Sequence, residues 1–306
     1  MPLPPLAPEP AEPEPAALFA GFERRGLLGD GVEVDAVVGG SGPPLLLLHG
    51  YPQTRACWAL VAPRRAERFT VVAPDLRGYG RSGKPAGGGD HAAYSKRAMA
   101  RDQIALMRAL GFDRFAVAGH DRGGRVAYRL ALDHPGAVTR LAVLDITPTG
   151  DAWAAMDAAR AVKMYHWSFL AQPEPLPERL IGADPEFFVR WELARMAPPG
   201  FRFPDAHLDE YLDAVRDPGT VRAFCEDYRA SWAVDRAVDD AERGAARIRC
   251  PVLVLWGEEG THAGGDPLPA WRAWADDVRG RALPGGHFVP EEAPDETAAE
   301  LAAFFA

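Results

Sequence analysis

Short apolar runs alternate with longer segments of helical periodicity along most of the chain. The runs are nearly continuous, as expected of strands buried on both faces of a sheet. They occupy Val32–Val38, Pro44–His49, Phe69–Ala73, Phe115–Gly119, Leu141–Asp145 and Val252–Trp256. Between them, Lys96–Leu110 and Gly124–Asp133 repeat apolar residues at helical spacing. This alternation predicts an α/β fold with a mostly parallel central sheet and helices on both faces.

The strand pattern stops after Asp145 and resumes at Ile248. The intervening sequence consists of amphipathic, helix-like segments separated by Pro-rich breaks. We therefore expect a helical cap subdomain, residues 148–242, inserted into an α/β core that is made of residues 18–147 and 243–306. Subdomains inserted at the carboxyl edge of such a sheet commonly cover an active site.

Composition narrows the classes of function. The formal net charge of −9 and the absence of a basic stripe argue against nucleic-acid binding. No apolar run reaches the ~18 residues of a membrane span, the N-terminus lacks the pattern of a signal peptide, and the three cysteines are far apart. These features favour a cytoplasmic protein with reduced thiols. The histidines show no metal-ligand spacing, so we expect no metal. Gly87-Gly88-Gly89 lacks the following Lys-Ser/Thr of a phosphate-binding loop, and we expect no cofactor. Residues 1–17, rich in Pro, Ala and Glu, predict a disordered tail.

The stretch Ala118-Gly119-His120-Asp121-Arg122-Gly123-Gly124-Arg125 joins a predicted strand directly to a predicted helix. A sharp turn of the form Gly-x-nucleophile-x-Gly holds its central side chain exposed at a helix N-terminus, which favours negative charge. Most hydrolases of this geometry carry serine there, but this chain carries Asp121. A carboxylate attacks sp³ carbon or an epoxide and becomes an ester, which water and a base must then hydrolyse. The glycines and the preceding strand disfavour the alternative, an ordinary helix N-cap.

A candidate base occurs late in the chain, where His287 follows two glycines before the last helix. The order nucleophile, acid, histidine then requires an acid between Asp121 and His287, which would orient the imidazole. Asp145 ends one predicted strand, and the carboxyl residues Glu258, Glu259 and Asp266 follow another. The pattern of residues leaves these four acids open.

The loop His49-Gly50-Tyr51-Pro52 follows the predicted strand Pro44–His49. In this arrangement such a loop supplies half of an oxyanion hole. We expect the backbone N–H groups of Tyr51 and Arg122 to stabilise the tetrahedral intermediate at the Asp121 carboxyl carbon.

These residues together resemble the haloacetate (fluoroacetate) dehalogenases of the α/β-hydrolase superfamily. The likeness covers nearly the whole chain after the tail. It is carried by His49-Gly50-Tyr51-Pro52-Gln53-Thr54, Gly119-His120-Asp121-Arg122-Gly123-Gly124-Arg125, Val143-Leu144-Asp145-Ile146, Tyr165-His166-Trp167-Ser168-Phe169, Cys225-Glu226-Asp227-Tyr228-Arg229 and Gly286-His287-Phe288. Two positions depart from the pattern, because Tyr51 and Gly124 stand where Phe and Ala are expected.

The resemblance implies a role for each site residue and favours Asp145 as the acid. The roles are chemistry for Asp121, His287 and Asp145, binding of the substrate carboxylate for Arg122 and Arg125, and binding of the halide for His166, Trp167 and Tyr228. The implied substrates are small 2-haloacids such as fluoroacetate and chloroacetate, with glycolate and halide as products. The resemblance also implies a homodimer. Spacing alone would assign the halide-binding residues to core packing.

The nearest alternative is an epoxide hydrolase or haloalkane dehalogenase with the same Asp-His-Asp machinery. Both usually place Trp directly after the nucleophile, which suits neutral substrates, whereas this chain has Arg122. Epoxide opening also requires an acid from the cap, commonly a tyrosine pair. Tyr228 is the strong candidate, with Tyr165 or Tyr211 as weaker partners. A non-catalytic small-molecule receptor on the same scaffold is disfavoured by the intact nucleophile, acid and histidine.

Overall fold

A single eight-stranded sheet organises the chain in the computed structural model, which describes residues 18–306. The strands are β1 (Glu23–Leu28), β2 (Glu33–Gly39), β3 (Pro44–Leu48), β4 (Thr70–Pro74), β5 (Phe115–His120), β6 (Val138–Leu144), β7 (Val252–Gly257) and β8 (Val278–Leu283). Their order is β1-β2-β4-β3-β5-β6-β7-β8. The two pairings of β2 are antiparallel, and all pairings from β4 to β8 are parallel. The predicted α/β class is confirmed.

The two strands that the apolar pattern missed are the edge strands β1 and β8. β1 is exposed along most of its length, and β8 alternates between exposed and partly buried positions. Neither therefore carries the continuous apolar run that marks the inner strands, such as the fully buried β5. The predicted disordered tail, residues 1–17, lies outside the described residues.

Helices cover the sheet and fill the interval between β6 and β7. They are α1 (Ala62–Ala66), α2 (Lys96–Ala109), α3 (Asp121–Asp133), α4 (Thr149–Ala154), α5 (Ala158–Lys163), α6 (Tyr165–Leu170), α7 (Leu176–Gly182), α8 (Pro185–Met196), α9 (Asp205–Arg216), α10 (Pro218–Ala230), α11 (Arg236–Glu242), α12 (Leu268–Arg272), α13 (Val289–Glu292) and α14 (Pro294–Phe305). A π-helical turn, Ser231–Asp235, joins α10 to α11. The helices α4 to α11 lie within the segment for which the sequence predicts a cap, and the domain division itself stays a prediction.

The carboxyl ends of the parallel strands place loops from distant parts of the chain side by side. β5 lies between β3 and β6, and β7 follows β6 in the sheet. Consequently the loops after β3, β5, β6 and β7 meet at one edge, where open α/β sheets bind ligands. No helix among residues 18–306 combines the length and the hydropathy that crossing a bilayer requires.

Candidate active site

The turn from β5 into α3 holds Asp121 in a left-handed backbone conformation, with φ of 44°. Glycines make this turn possible, because a Cβ at Gly119 would lie 2.4 Å from Gly123 O, and one at Gly123 would lie 2.4 Å from His49 O. A non-glycine residue persists in this backbone region only where its surroundings over-determine it, and such residues concentrate at functional sites. The turn therefore has the geometry expected of a nucleophile at a strand-to-helix junction.

The Asp121 carboxylate already accepts a hydrogen bond at the expected oxyanion position. Tyr51 N donates to Asp121 Oδ2 at 2.9 Å. The Arg122 N–H belongs to the first turn of α3, whose amide groups have no partner within the helix. Burial alone would raise the pKa of Asp121, but the charges of His287 and Arg122 outweigh it and lower the pKa to about 2. Asp121 is therefore an ionised carboxylate at neutral pH.

His287 is paired with Asp145. His287 Nδ1 lies 2.7 Å from Asp145 Oδ2, and the same oxygen accepts from Thr261 N at 2.9 Å. Asp145 also has positive φ, 54°, and a Cβ at Gly260 would lie 2.6 Å from its Oδ1. Burial lowers the pKa of His287, but the hydrogen bond to Asp145 and the charges of Asp145 and Asp121 together outweigh it and raise the pKa above its ordinary value.

Among the acids that the sequence left open, the geometry thus brings Asp145 to the histidine. No hydrogen bond within the described part of the chain joins Glu258, Glu259 or Asp266 to His287. Glu259 does line the cavity described next.

A cavity of about 150 Å³ connects these groups. Its lining includes Asp121, Asp145, His287 and Tyr51 from the sheet edge, and Met164, His166, Trp167 and Met196 from the helices between β6 and β7. Four cationic side chains also line it, namely Arg125, Arg160, Lys163 and Arg195. A small cavity with this excess of positive charge favours a small anion, even though the whole protein is acidic.

The two arginines expected to bind a carboxylate occupy different surroundings. Arg125 lines the cavity, donates to Thr147 O at 3.1 Å and to Thr149 Oγ1 at 3.2 Å, and leaves its Nε without a partner. Arg122 is fully buried and donates from Nη2 and Nε to the Asp227 carboxylate. Its Nη1 has no partner. Each guanidinium therefore keeps at least one buried nitrogen without a partner.

Of the three residues expected to bind halide, His166 and Tyr228 pack against Tyr51, and Trp167 packs against Tyr228. The His166 ring stacks on the Tyr51 ring with centroids 5.7 Å apart, and it meets the Tyr228 ring edge-on at 5.6 Å. Trp167 lies 6.1 Å from the Tyr228 ring, and the Arg125 guanidinium lies over the Trp167 indole at 4.6 Å. The structure therefore brings the aromatic residues of α6 and α10 together beside the Asp121 turn.

The family model described as alpha/beta hydrolase fold matches residues 43–294. This chain belongs to the alpha/beta hydrolase family. It is 47% identical over 289 residues to a fluoroacetate dehalogenase from Burkholderia sp.. The alignment covers 94% of this chain and 95% of that protein. It is 37% identical over 286 residues to a soluble epoxide hydrolase from Corynebacterium sp. strain C12, covering 90% of this chain and 95% of that protein.

A solved structure gives the same assignment. ALR0039 from Nostoc sp. PCC 7120, described as an alpha/beta hydrolase, superimposes with a TM-score of 0.90 at 47% identity, covering 94% of this chain and 99% of that one. The resemblance inferred from the sequence motifs is thereby confirmed. The relatives include a fluoroacetate dehalogenase and a soluble epoxide hydrolase, both of which are hydrolases.

The sequence did not predict the roles of some groups that support the site in this alpha/beta hydrolase. Asp227 binds Arg122 and also accepts from Tyr79 OH at 2.7 Å and from the buried Lys96. Its sequence signal is a carboxylate within a mostly buried helix, a position that such a side chain occupies only when it is paired. Arg195, which contacts His166, could not be singled out from the sequence, because most basic residues of the chain are arginines.

No three His, Cys, Asp or Glu side chains in residues 18–306 converge in an arrangement that could hold a metal ion.

Proposed function

We propose that this hydrolase cleaves the carbon–halogen bond of small 2-haloacids, converting fluoroacetate or chloroacetate to glycolate and halide. The observation that carries the proposal is a single small cavity that contains an ionised Asp121 on a strained turn, the Asp145–His287 pair and the guanidinium of Arg125. The identity to a fluoroacetate dehalogenase supports the same activity.

In the first half-reaction an Asp121 carboxylate oxygen attacks the carbon that bears the halogen. The carbon–halogen bond breaks with its electron pair, halide departs, and an ester forms on Asp121. The substrate carboxylate binds to Arg125 and to the free Nη1 of Arg122, which offset its repulsion from the Asp121 anion. Trp167, Tyr228 and His166 donate hydrogen bonds to the halide as negative charge develops on it.

In the second half-reaction His287 removes a proton from a water molecule that attacks the Asp121 carboxyl carbon. Asp145 holds the imidazole through Nδ1 and stabilises the imidazolium that forms. The N–H groups of Tyr51 and Arg122 stabilise the resulting oxyanion. Collapse of the intermediate breaks the bond between the Asp121 carboxyl carbon and the glycolate oxygen, which takes the proton held by the His287 imidazolium. Loss of the remaining proton to solvent restores the Asp121 carboxylate.

A halide-release assay with fluoroacetate, chloroacetate and bromoacetate tests the proposal, with 1-chlorobutane and styrene oxide assayed in parallel. We expect halide release from the acids and its loss in Asp121→Asn, a variant of nearly equal volume. Activity on the neutral compounds alone would overturn the assignment of a carboxylate-binding site. Halide release from none of the substrates by the wild type, together with retained binding of a haloacid, would favour a non-catalytic receptor.

The alternative epoxide hydrolase or haloalkane dehalogenase activity shares the Asp121, His287 and Asp145 machinery. Two of the tyrosines considered as cap acids have hydroxyl groups already committed, since Tyr165 OH donates to Glu192 and Tyr211 OH donates to Glu291 at 2.9 Å. The Tyr51 hydroxyl is buried without a partner, and its ring lies 5.3 Å from that of Tyr228. These two tyrosines are therefore the pair that epoxide opening would use.

The helical segment 148–242 is the proposed cap, and we propose that the enzyme is a cytoplasmic homodimer. The family resemblance supports both.

Exposed apolar side chains on neighbouring helices of the segment support a subunit contact, namely Leu176, Leu180, Phe187 and Trp191. Light scattering tests the dimer, and we expect Trp191→Lys to shift the mass towards the monomer, with Val162→Lys at another exposed apolar position as the control. A monomeric wild type would contradict the proposal.

A further inference from the structure

A polar cluster lies behind His166 on the cavity wall. It consists of Tyr165 on α6 together with Glu192 and Arg195 on α8, and we call it the His166 support. Glu192 is fully buried, where a carboxylate is stable only when it is paired. Its Oε1 accepts from Tyr165 OH and its Oε2 accepts from Arg195 Nη2 at 2.7 Å. Both carboxylate oxygens are therefore used, and Arg195 is held in one position.

The same Arg195 nitrogen also contacts the imidazole. Arg195 Nη2 lies 2.9 Å from His166 Nδ1. A guanidinium carries only donors and remains protonated, so the imidazole nitrogen that it contacts must be the acceptor. A neutral imidazole has one proton, and with Nδ1 accepting that proton resides on Nε2.

We propose that Arg195 is a positioning residue that fixes His166 as the neutral Nε2–H tautomer, so that His166 donates into the cavity. The identity of the acceptor rests on the proposed function, in which it is the departing halide. Among residues 18–306 the structure gives Nε2 no hydrogen-bond partner, and His166 lines the cavity. The donor is therefore free for a ligand.

The other groups around His166 do not compete for Nδ1. The rings and charges that face it are those of Tyr165, Tyr51, Tyr228, Asp121, His287 and Arg122. Tyr51, Tyr165 and Tyr228 contact the imidazole through their rings. Burial, followed by the charge of Arg195, lowers the pKa of His166 well below its ordinary value, and Asp121 opposes this only in part. His166 is thus kept neutral as well as oriented.

Removal of Arg195 would reverse this arrangement. Glu192 Oε2 lies 3.7 Å from His166 Nδ1 and would lose the cation that neutralises it. A buried carboxylate without its partner would then attract a proton to Nδ1, giving either the Nδ1–H tautomer or an imidazolium. In the first case the cavity loses a hydrogen-bond donor, and in the second it gains a charge.

The tautomer can be measured directly by two-bond ¹H–¹⁵N correlation spectra of the histidine rings in the full-length protein, with His166 assigned from a His166→Gln spectrum. We expect the Nε2–H pattern in the wild type and in Arg195→Lys, which keeps a cationic donor. We expect a Nδ1–H or imidazolium pattern in Arg195→Leu. Arg160→Leu, which removes a different cation from the same cavity, should keep the wild-type pattern.

Kinetics supply the second readout. Loss of one oriented donor should lower kcat for haloacetates by about 10- to 100-fold in Arg195→Leu, more for fluoride than for bromide, because fluoride is the stronger acceptor. A wild-type Nδ1–H or imidazolium pattern at neutral pH would overturn the inference, and so would an unchanged tautomer in Arg195→Leu. If the wild type releases no halide, the dehalogenase proposal fails while the spectra still decide the role of Arg195.

Discussion

Arg122 donates to the Asp227 carboxylate at two points, from Nε to Oδ2 at 3.1 Å and from Nη2 to Oδ1 at 2.5 Å. Both side chains are fully buried. Lys96 on α2 and Tyr79 in the loop after β4 donate to the same carboxylate, so Asp227 on α10 joins three separate parts of the chain. Burial would raise the pKa of Asp227, but the charges of Arg122 and Lys96 lower it below its ordinary value.

This ion pair makes Asp227→Asn strongly destabilising. The substitution keeps the side-chain shape but leaves the Arg122 and Lys96 cations buried without the carboxylate that both of them contact. Breaking a buried pair on one side costs about 3–5 kcal/mol, and we expect a loss of that size in the free energy of unfolding measured in urea. Glu186→Gln breaks the exposed pair with Arg216 and should change it by less than about 1 kcal/mol. Equal effects of the two substitutions would contradict the prediction.

Arg125 provides the sharpest test of anion recognition. Arg125→Met keeps the length of the side chain but removes its charge and its donors. Hydrogen bonds to a charged group contribute about 1.5–3 kcal/mol, so kcat/KM for chloroacetate should fall about 10- to 100-fold. The neutral analogue chloroacetamide serves as the matched control, and its turnover should change little. A similar loss for the amide would show that Arg125 supports the cavity and does not read the substrate charge.

The pH dependence should separate the two half-reactions. Formation of the ester needs ionised Asp121, whose pKa of about 2 leaves that step without an acid limb in the ordinary range. Hydrolysis needs neutral His287, whose pKa in the free enzyme lies above its ordinary value of 6.5. Ester hydrolysis should therefore rise with pH through the His287 pKa and be lost as pH falls below it.

The ester itself modifies this expectation. Esterification removes the negative charge of Asp121, which is one of the interactions that raise the pKa of His287. The acid limb of ester hydrolysis should therefore lie below the pKa of His287 in the free enzyme, and Asp145→Asn should move it lower still. Rapid-quench measurements from about pH 5 to 9 compare the halide burst with the later hydrolysis. An acid limb in the burst alone would reverse the assignment of the two steps.

The sequence predicted the inner strands and the Asp121 turn because both depend on local pattern. A strand buried on both faces must be apolar throughout, and the turn must have glycine where a Cβ would meet backbone oxygen, as at Gly123. The edge strand β1 is exposed along most of its length, so its sequence lacks the continuous apolar run by which the inner strands were predicted.

Long-range pairing was beyond the same reasoning. Asp145 and His287 are separated by 142 positions, and four acids satisfied the order along the chain until the folded geometry placed one beside the imidazole. The contact between Arg195 and His166 depends on how α8 packs against α6, which spacing within one helix does not encode. The motifs therefore assigned Asp121, His287 and the oxyanion N–H groups, the resemblance supplied the choice of Asp145 and the substrate-binding roles, and the structure supplied the supporting contacts.

His287→Gln should divide the reaction at the covalent intermediate. The Asp121 turn, its bond from Tyr51 N and the Arg125 guanidinium do not depend on the imidazole, so the attack on the haloacid remains possible. Without a base to activate water, the ester on Asp121 should accumulate. We expect one halide per enzyme in a single burst, little turnover afterwards, and a mass increase of one carboxymethyl group on the peptide containing Asp121.

The matched control for that trap is the double variant Asp121→Asn with His287→Gln, which should show neither the burst nor the mass increase. The loss of His287 removes the largest of the charges that lower the pKa of Asp121, but the charges of Arg122 and Arg125 remain and still lower it. The nucleophile therefore stays ionised in His287→Gln at neutral pH. Steady turnover by His287→Gln, or a label on a residue other than Asp121, would show that a different pair of groups performs the chemistry.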